Sequence, residues 1–198
     1  VKIVPPTPEG LAEAARLLRR GEVVVYPTET VYGLAVDPAS ESALERLFAV
    51  KGRREDHPVL LIIADALQLQ PWVAEISANA QACMEVFWPG PLSLLFPHAD
   101  GLPAALTAGS AKICVRCPAC PVARELCRVF GGAVTSSSAN RSGEPPARSL
   151  QELHLDGVAL GVDGGVLPAR VPSTVYDPDG DRILRAGDIT WEQLRALR

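Results

Sequence analysis

No apolar run in the chain approaches the roughly 20 residues that a membrane-spanning helix needs; even Val59–Ala64 is far too short. Histidine is scarce, and His57, His98 and His154 stand far apart, so a local zinc-histidine motif is excluded. His57, in a charged stretch, reads as solvated. Neither G-x-x-x-x-G-K-[ST] nor G-x-G-x-x-G occurs, which removes the P-loop and the dinucleotide-binding fingerprint. No G-x-S-x-G elbow replaces them. A basic segment leading into an apolar one is missing at the start, so the expectation is a cytoplasmic protein without membrane contact. In that setting the Asn140-Arg141-Ser142 sequon carries no meaning. An excess of positive charge is also lacking: 19 Lys and Arg face 23 Asp and Glu, for a net charge of −4. A dedicated nucleic-acid binder carries the opposite balance. The cations nevertheless gather, at Lys51/Arg53/Arg54, Arg141/Arg148 and Arg182/Arg185 among others, so anion sites fit within an acidic whole.

At 198 residues, with 47% hydrophobic and 21% charged, the chain suits one domain, residues 1–198, with a substantial core. Five cysteines are present. Cys114, Cys117, Cys120 and Cys127 are spaced C-x2-C-x2-C-x6-C, superficially like an iron–sulfur run but with the wrong last interval. Cys114 also falls in an apolar strand pattern. They read as structural thiols, with a metal site or a local disulfide as the open alternatives; an odd count argues against a disulfide framework.

Helical and strand patterns alternate, as in an α/β fold with a twisted mixed sheet and flanking helices. Thr7, Ser40 and Ser77 precede helical stretches, Thr190 opens a short last one, and Gly21 and Gly52 stop the first two. Val23–Tyr26 reads as a buried strand, followed by strands at Val31–Val36, Pro58–Ala64, Leu92–Phe96, Ile113–Val115 and Ala133–Thr135. Pro121 opens a helix to Phe130. Shorter strands are expected at Val158–Val162, Thr174–Tyr176 and Ile183–Arg185, and Ser149 with Glu152 fits a capping box.

The chemistry concentrates in polar segments at strand and helix ends. Thr28, Glu29, Thr30 and Tyr32 follow a hydrophobic strand, where α/β folds hold ligands. Lys51 and Arg53 close a helix, and read either as anion contacts or as a solvated cap favoured by the helix dipole. Ser136–Asn140 gathers hydroxyls, an amide and backbone N–H groups suited to phosphate or carboxylate. Each segment alone is equally compatible with a plain turn. Trp88-Pro89-Gly90-Pro91 reads as a structural corner.

Together the strings YPTETVYGLAVDP, KGR, WPGPLSLLFP, VRCP, SSSANRSG, PST and ILRAG resemble, in order and spacing, the YrdC/TsaC family of threonylcarbamoyl-AMP synthases. The resemblance runs from Val23 to Gly187. It implies a YrdC-like domain with a concave active-site cleft, in which L-threonine, bicarbonate and ATP give threonylcarbamoyl-adenylate and pyrophosphate. It puts Lys51, Arg53, Ser138 and Asn140 at the catalytic and ATP-binding centre, with Arg185 on the nucleotide side. Thr28, Arg116 and Ser173 fall on the threonine side. Mg²⁺ would arrive with ATP, and no tightly bound organic cofactor is implied. Downstream proteins that transfer the threonylcarbamoyl group to tRNA are the implied partners, with direct RNA contact left open. Longer members carry a threonine-contacting histidine where this sequence has Ile62, and append a further domain; this chain resembles the short bacterial members. Two rival readings are a carbamoyl-adenylate-forming enzyme and a non-catalytic RNA-binding or ribosome-assembly module.

Overall fold

The computed structural model describes residues 1–52 and 58–197. Its central strand is the one the sequence marks most strongly. Val23, Val24, Val25 and Tyr26 are all fully buried in β2 (Val23–Pro27). Alternate side chains of a strand point to opposite faces, so a run without polar positions requires cover on both. Val23 and Val25 enter the larger of two core clusters, while Val24 and Tyr26 enter the smaller.

Two mixed sheets are built around this arrangement. In the first, β1 (Lys2–Val4) and β2 flank β9 (Val158–Val162) in parallel. On its other edge, β2 runs antiparallel to β3 (Tyr32–Ala35), which pairs with β8 (Ser137–Ser138). The second has the order β11 (Arg182–Arg185), β10 (Thr174–Asp177), β5 (Leu92–Pro97), β6 (Lys112–Arg116), β4 (Leu61–Ile62), β7 (Val134–Thr135). The mixed α/β architecture with flanking helices therefore holds, with the strands divided between two sheets. Only Ser136 lies between β7 and β8, so the chain crosses from one sheet to the other in a single residue.

Helices α1 (Pro8–Leu18) and α5 (Pro121–Phe130) cover the smaller cluster through Leu11, Ala14, Leu18, Ala123 and Leu126. The larger cluster joins both sheets to α2 (Glu41–Lys51) and α3 (Ala78–Phe87). The hydroxyls of Thr7, Ser40 and Ser77 each accept a backbone N–H of the first helical turn, satisfying a donor the helix cannot pair itself. Gly52 ends α2 in the left-handed region at φ 58°. A short α4 (Ala104–Thr107) precedes β6, and α6 (Trp191–Arg195) starts with a full capping box between Thr190 and Gln193.

Two local expectations are revised. The strand expected at Pro58–Ala64 is regular only at Leu61–Ile62. Pro58 has no N–H to give, and the Val59 and Ile63 N–H groups turn to Leu106 O and Arg116 O. Ser149 forms no side-chain cap: a three-residue 3-10 turn, Leu150–Glu152, follows it, and Glu152 reaches back to the Arg148 N–H at 2.7 Å.

Candidate active site

A cavity of about 400 Å³ opens where the sheets meet. Thr28, Thr30 and Tyr32 line it from the β2–β3 turn, Ser136–Ser138 from the crossing, and Arg116, Ser173 and Arg185 from the second sheet. Five of the eight residues that the sequence singles out, Thr28, Arg116, Ser138, Ser173 and Arg185, thus share one space.

Thr28 is 5% exposed, and its Oγ1 is spent on its own turn. It donates to Val31 O at 2.6 Å and accepts the N–H groups of Thr30 and Val31 at 3.2 Å each. Such side-chain-to-backbone bonds let threonine hold a turn that the backbone alone would leave open. What Thr28 gives the cavity is therefore first the shape of its rim, with the Thr30 hydroxyl 3.0 Å away.

Lys51 and Asn140 form a truss beside the cavity. Although Lys51 ends a helix, it is only 4% exposed. Its Nζ donates to Ser138 O at 2.6 Å, Asn140 O at 3.1 Å and Asn140 Oδ1 at 3.2 Å. Ser138 Oγ donates to the same Oδ1 at 2.5 Å, and Asn140 Nδ2 to Glu144 O at 2.5 Å. The solvated-cap reading of Lys51 is therefore overturned: the ammonium is buried in the Ser136–Gly143 segment and sets its curvature. Part of that segment is β8 rather than loop. Arg53, the fourth member of the expected centre, and His57 lie outside the described residues.

Arg116, 4% exposed at the end of β6, is held on two sides. Its Nε donates to Gly90 O at 3.0 Å, and its Nη2 pairs with Glu29. Glu29 is itself fixed by the Ala119 N–H at 2.9 Å. Among the described residues the remaining nitrogen, Nη1, makes no hydrogen bond. Gly90 cannot be replaced there, because a Cβ would sit 2.2 Å from Phe87 O. This explains the Trp88–Pro91 corner: it delivers one carbonyl to the Arg116 guanidinium.

Arg185 on β11 donates from Nε to Ser173 O at 3.0 Å and from Nη2 to Ser173 Oγ at 2.9 Å. Behind Ser173, the fully buried Ser93 hydroxyl stands 2.9 Å away. Desolvation, and to a lesser degree the like charge of Arg116, lowers the pKa of Arg185, which stays solvent-exposed on β11, so two guanidiniums, one buried and one exposed, face one cavity. An anion entering it relieves their repulsion. Gly187 closes this corner: a Cβ there would lie 2.2 Å from Pro172 O and 2.4 Å from Thr174 N. The glycine of ILRAG and the serine of PST are thus two halves of one contact.

Three contributors escape sequence reasoning. Ser93 sits in an apolar strand with no signal to separate it from core. Glu29 is visible as a polar residue, but not as the partner of an arginine 87 positions away. Tyr26, which donates to Ser136 Oγ at 2.7 Å beneath the crossing, reads simply as a buried strand residue, and burial pushes its phenol pKa strongly upward. Ile62 does not line the cavity; it packs in the smaller core cluster.

The cysteines are all free thiols. Cys117 Sγ lies 3.4 Å from Ala64 O and Cys127 Sγ 3.5 Å from Ile62 O. Burial pushes the Cys114 thiol up to about 12 and Cys117 to about 11, far from the thiolate form that metals and oxidants select. Among the described residues no group of three or more His, Cys, Asp or Glu side chains is arranged to hold a metal ion. Nor is any helix among them long and apolar enough to cross a membrane.

Known proteins share this architecture. A curated threonylcarbamoyl-AMP synthase of Alkalilimnicola ehrlichii is 38% identical over 185 residues, covering 89% of this chain and 95% of the relative. Another, from Bacillus subtilis, is 40% identical over 94% of this chain but only 56% of its own length. The crystal structure of Pyrococcus abyssi Sua5 complexed with L-threonine superposes with a TM-score of 0.88 at 34% identity, covering 94% of this chain and 56% of that one. The Sua5/YciO/YrdC family model, described as telomere recombination, matches residues 16–187, and this chain belongs to that family.

Proposed function

We propose that this protein is a threonylcarbamoyl-AMP synthase, a nucleotidyltransferase that condenses L-threonine, bicarbonate or CO2 and ATP into threonylcarbamoyl-adenylate and pyrophosphate. What carries the reading is the convergence of Arg116, Arg185 and Ser138 on one cavity, with the Lys51–Asn140 truss braced against Ser138 beside it. That space is cationic and rich in hydroxyls, as a reaction between anions demands. The enzyme names and the L-threonine complex among its relatives support the same reading.

In this proposal the threonine carboxylate docks on Arg116 Nη1, while Glu29 and Gly90 fix the guanidinium plane. Thr28 shapes the rim around the amino acid. The threonine nitrogen attacks carbon dioxide, or bicarbonate with loss of water, and becomes an N-carboxylate as its proton leaves. A carboxylate oxygen then attacks the α-phosphorus; the bond from that phosphorus to the bridging oxygen breaks, and pyrophosphate departs. Lys51, Arg53 and Arg185 offset the charge gathered at phosphorus, and Ser173 orients Arg185. Ser138 and Asn140, locked to each other and to Lys51, align the carbamate. Mg²⁺ would enter as part of the nucleotide substrate and would help offset the phosphate charge. The scarcity of histidine fits a transfer in which positioning supplies most of the acceleration. The adenylate would pass to the proteins that modify tRNA.

Incubation with ATP, Mg²⁺, bicarbonate and L-threonine should yield threonylcarbamoyl-AMP and pyrophosphate in equal amounts. Folded protein that forms no adduct would refute the proposal, and pyrophosphate release independent of threonine would point to carbamoyl-adenylate chemistry instead. Arg53→Ala and Asn140→Ala should keep the fold and lose most adduct formation. Unchanged rates would mean that the centre lies elsewhere.

A further inference from the structure

A second cleft, of about 270 Å³, lies on the other side of the Trp88–Gly90 corner and shares no lining residue with the first. Met84 and Glu85 of α3 form one wall, Arg124 and Arg128 of α5 another, with Trp88 and Cys117 at the base. Most of its charges are already engaged. Arg128 Nη1 donates to Glu125 at 3.1 Å, Glu85 accepts from Gln81 at 2.8 Å, and Asp65 accepts the Leu67 N–H at 3.1 Å. Arg124 differs. Among the described residues no side-chain hydrogen bond or ion pair engages its guanidinium, and its Nε–H is the one buried side-chain donor left without an acceptor. A buried donor in that state has lost its water and gained nothing in return, and calls for a missing partner.

We propose that this cleft is a second ligand site, for a small monocarboxylate with a flat apolar body. The single unpaired guanidinium calls for one negative charge. Asp65 and Glu85, facing the same space, disfavour a phosphate dianion. The indole of Trp88, the thioether of Met84 and the neutral thiol of Cys117, which burial keeps protonated even beside Arg124, supply an apolar floor. A carboxylate would bridge the guanidinium while its body lies against that floor, an arrangement typical of small-molecule pockets.

The experiment uses a built-in reporter: Met84 is the only methionine in the sequence. Protein labelled with [methyl-¹³C]methionine gives the methyl resonance of Met84, which lines this cleft and not the first cavity. Titration with phenylacetate should move that resonance saturably in the millimolar range or below. Its neutral near-isostere phenylacetamide should need at least about tenfold more for the same shift, the share a charge-assisted bond supplies. In Arg124→Gln the two probes should become equivalent, whereas Arg185→Gln, altered in the first cavity, should keep the preference. No saturable shift, equal affinities for acid and amide, or a preference that survives Arg124→Gln would each overturn the proposal. The wild-type comparison of acid with amide decides even if a variant does not fold.

Discussion

Replacing Lys51 by methionine keeps the length and apolar stem of the side chain and removes only the ammonium. The structure makes this a severe change for a residue at a helix end. Three acceptors, Ser138 O, Asn140 O and Asn140 Oδ1, each lose a charge-assisted bond in a region where Lys51 is 4% exposed, although Ser138 O keeps the Asn140 N–H and Asn140 Oδ1 keeps the Ser138 hydroxyl. Each hydrogen bond to a charged group contributes about 1.5–3 kcal/mol, and an acceptor left without any donor would retain its desolvation cost. Against that stands the relief of no longer burying a cation. A net loss of about 3 kcal/mol follows, and at about 2–4 °C per kcal/mol for a chain of this size the melting temperature should fall by about 6–12 °C. Differential scanning fluorimetry measures it directly. Lys51→Arg should recover only part of the loss, since a planar fork cannot place three donors where a tetrahedral ammonium does. A shift within about 1 °C for Lys51→Met would refute the truss, and return Lys51 to the solvated helix cap that its sequence position suggests.

Gly187→Ala forces a methyl group against Pro172 O and Thr174 N, and should displace Ser173, the anchor of Arg185. A stability loss of about 1–3 kcal/mol is expected, as for overpacked sites generally, together with weaker ATP binding by calorimetry; unaltered affinity would separate Gly187 from the site. Asp177 is pulled below the ordinary carboxylate value: burial raises it, but Lys112 Nζ at 2.6 Å and the Gly180 N–H outweigh that. Its stabilising contribution is then complete above the ordinary carboxylate value of 3.8 and disappears as pH falls through the lower folded value. Lys112 is the mirror case: burial lowers its pKa, but Asp177 and Asp179 raise it above 10.5, so its contribution holds below 10.5 and is lost at still higher pH. Acid denaturation of Asp177→Asn should therefore show a shallower loss below about pH 4 than wild type, and identical acid limbs would refute the pairing.

Much of this was legible in the chain because local physics writes it there. A hydroxyl before a helical pattern, as at Thr7, Ser40 and Ser77, marks a start that depends on a few neighbouring atoms. A run such as Val23–Tyr26 declares a strand covered on both faces. The order of short motifs picked out five residues that line one cavity, although none of the motifs alone separated a ligand contact from a turn. The illegible parts share another property: they are relations between distant positions. Lys51 resembles a dipole-favoured cap until Ser138 and Asn140 fold over it, 87 and 89 residues further on. Ser93 resembles core until Ser173 meets it across the second sheet. The crossing between the two sheets leads into β8, whose two residues are too few to show any periodicity.

The crossing at Ser136 has a consequence for how the gene for such a protein can change. Strand side chains alternate with a period of two, so one inserted or deleted residue between Thr135 and Ser137 would reverse every orientation downstream in β8. Ser138 would turn its hydroxyl away from Asn140, and Leu34 and Gly33 of β3 would face the wrong partners. Elsewhere on a surface loop a codon gained or lost is a minor event. Here the spacing is part of the chemistry, and the reading frame of the fold is tightest at its least bulky residues.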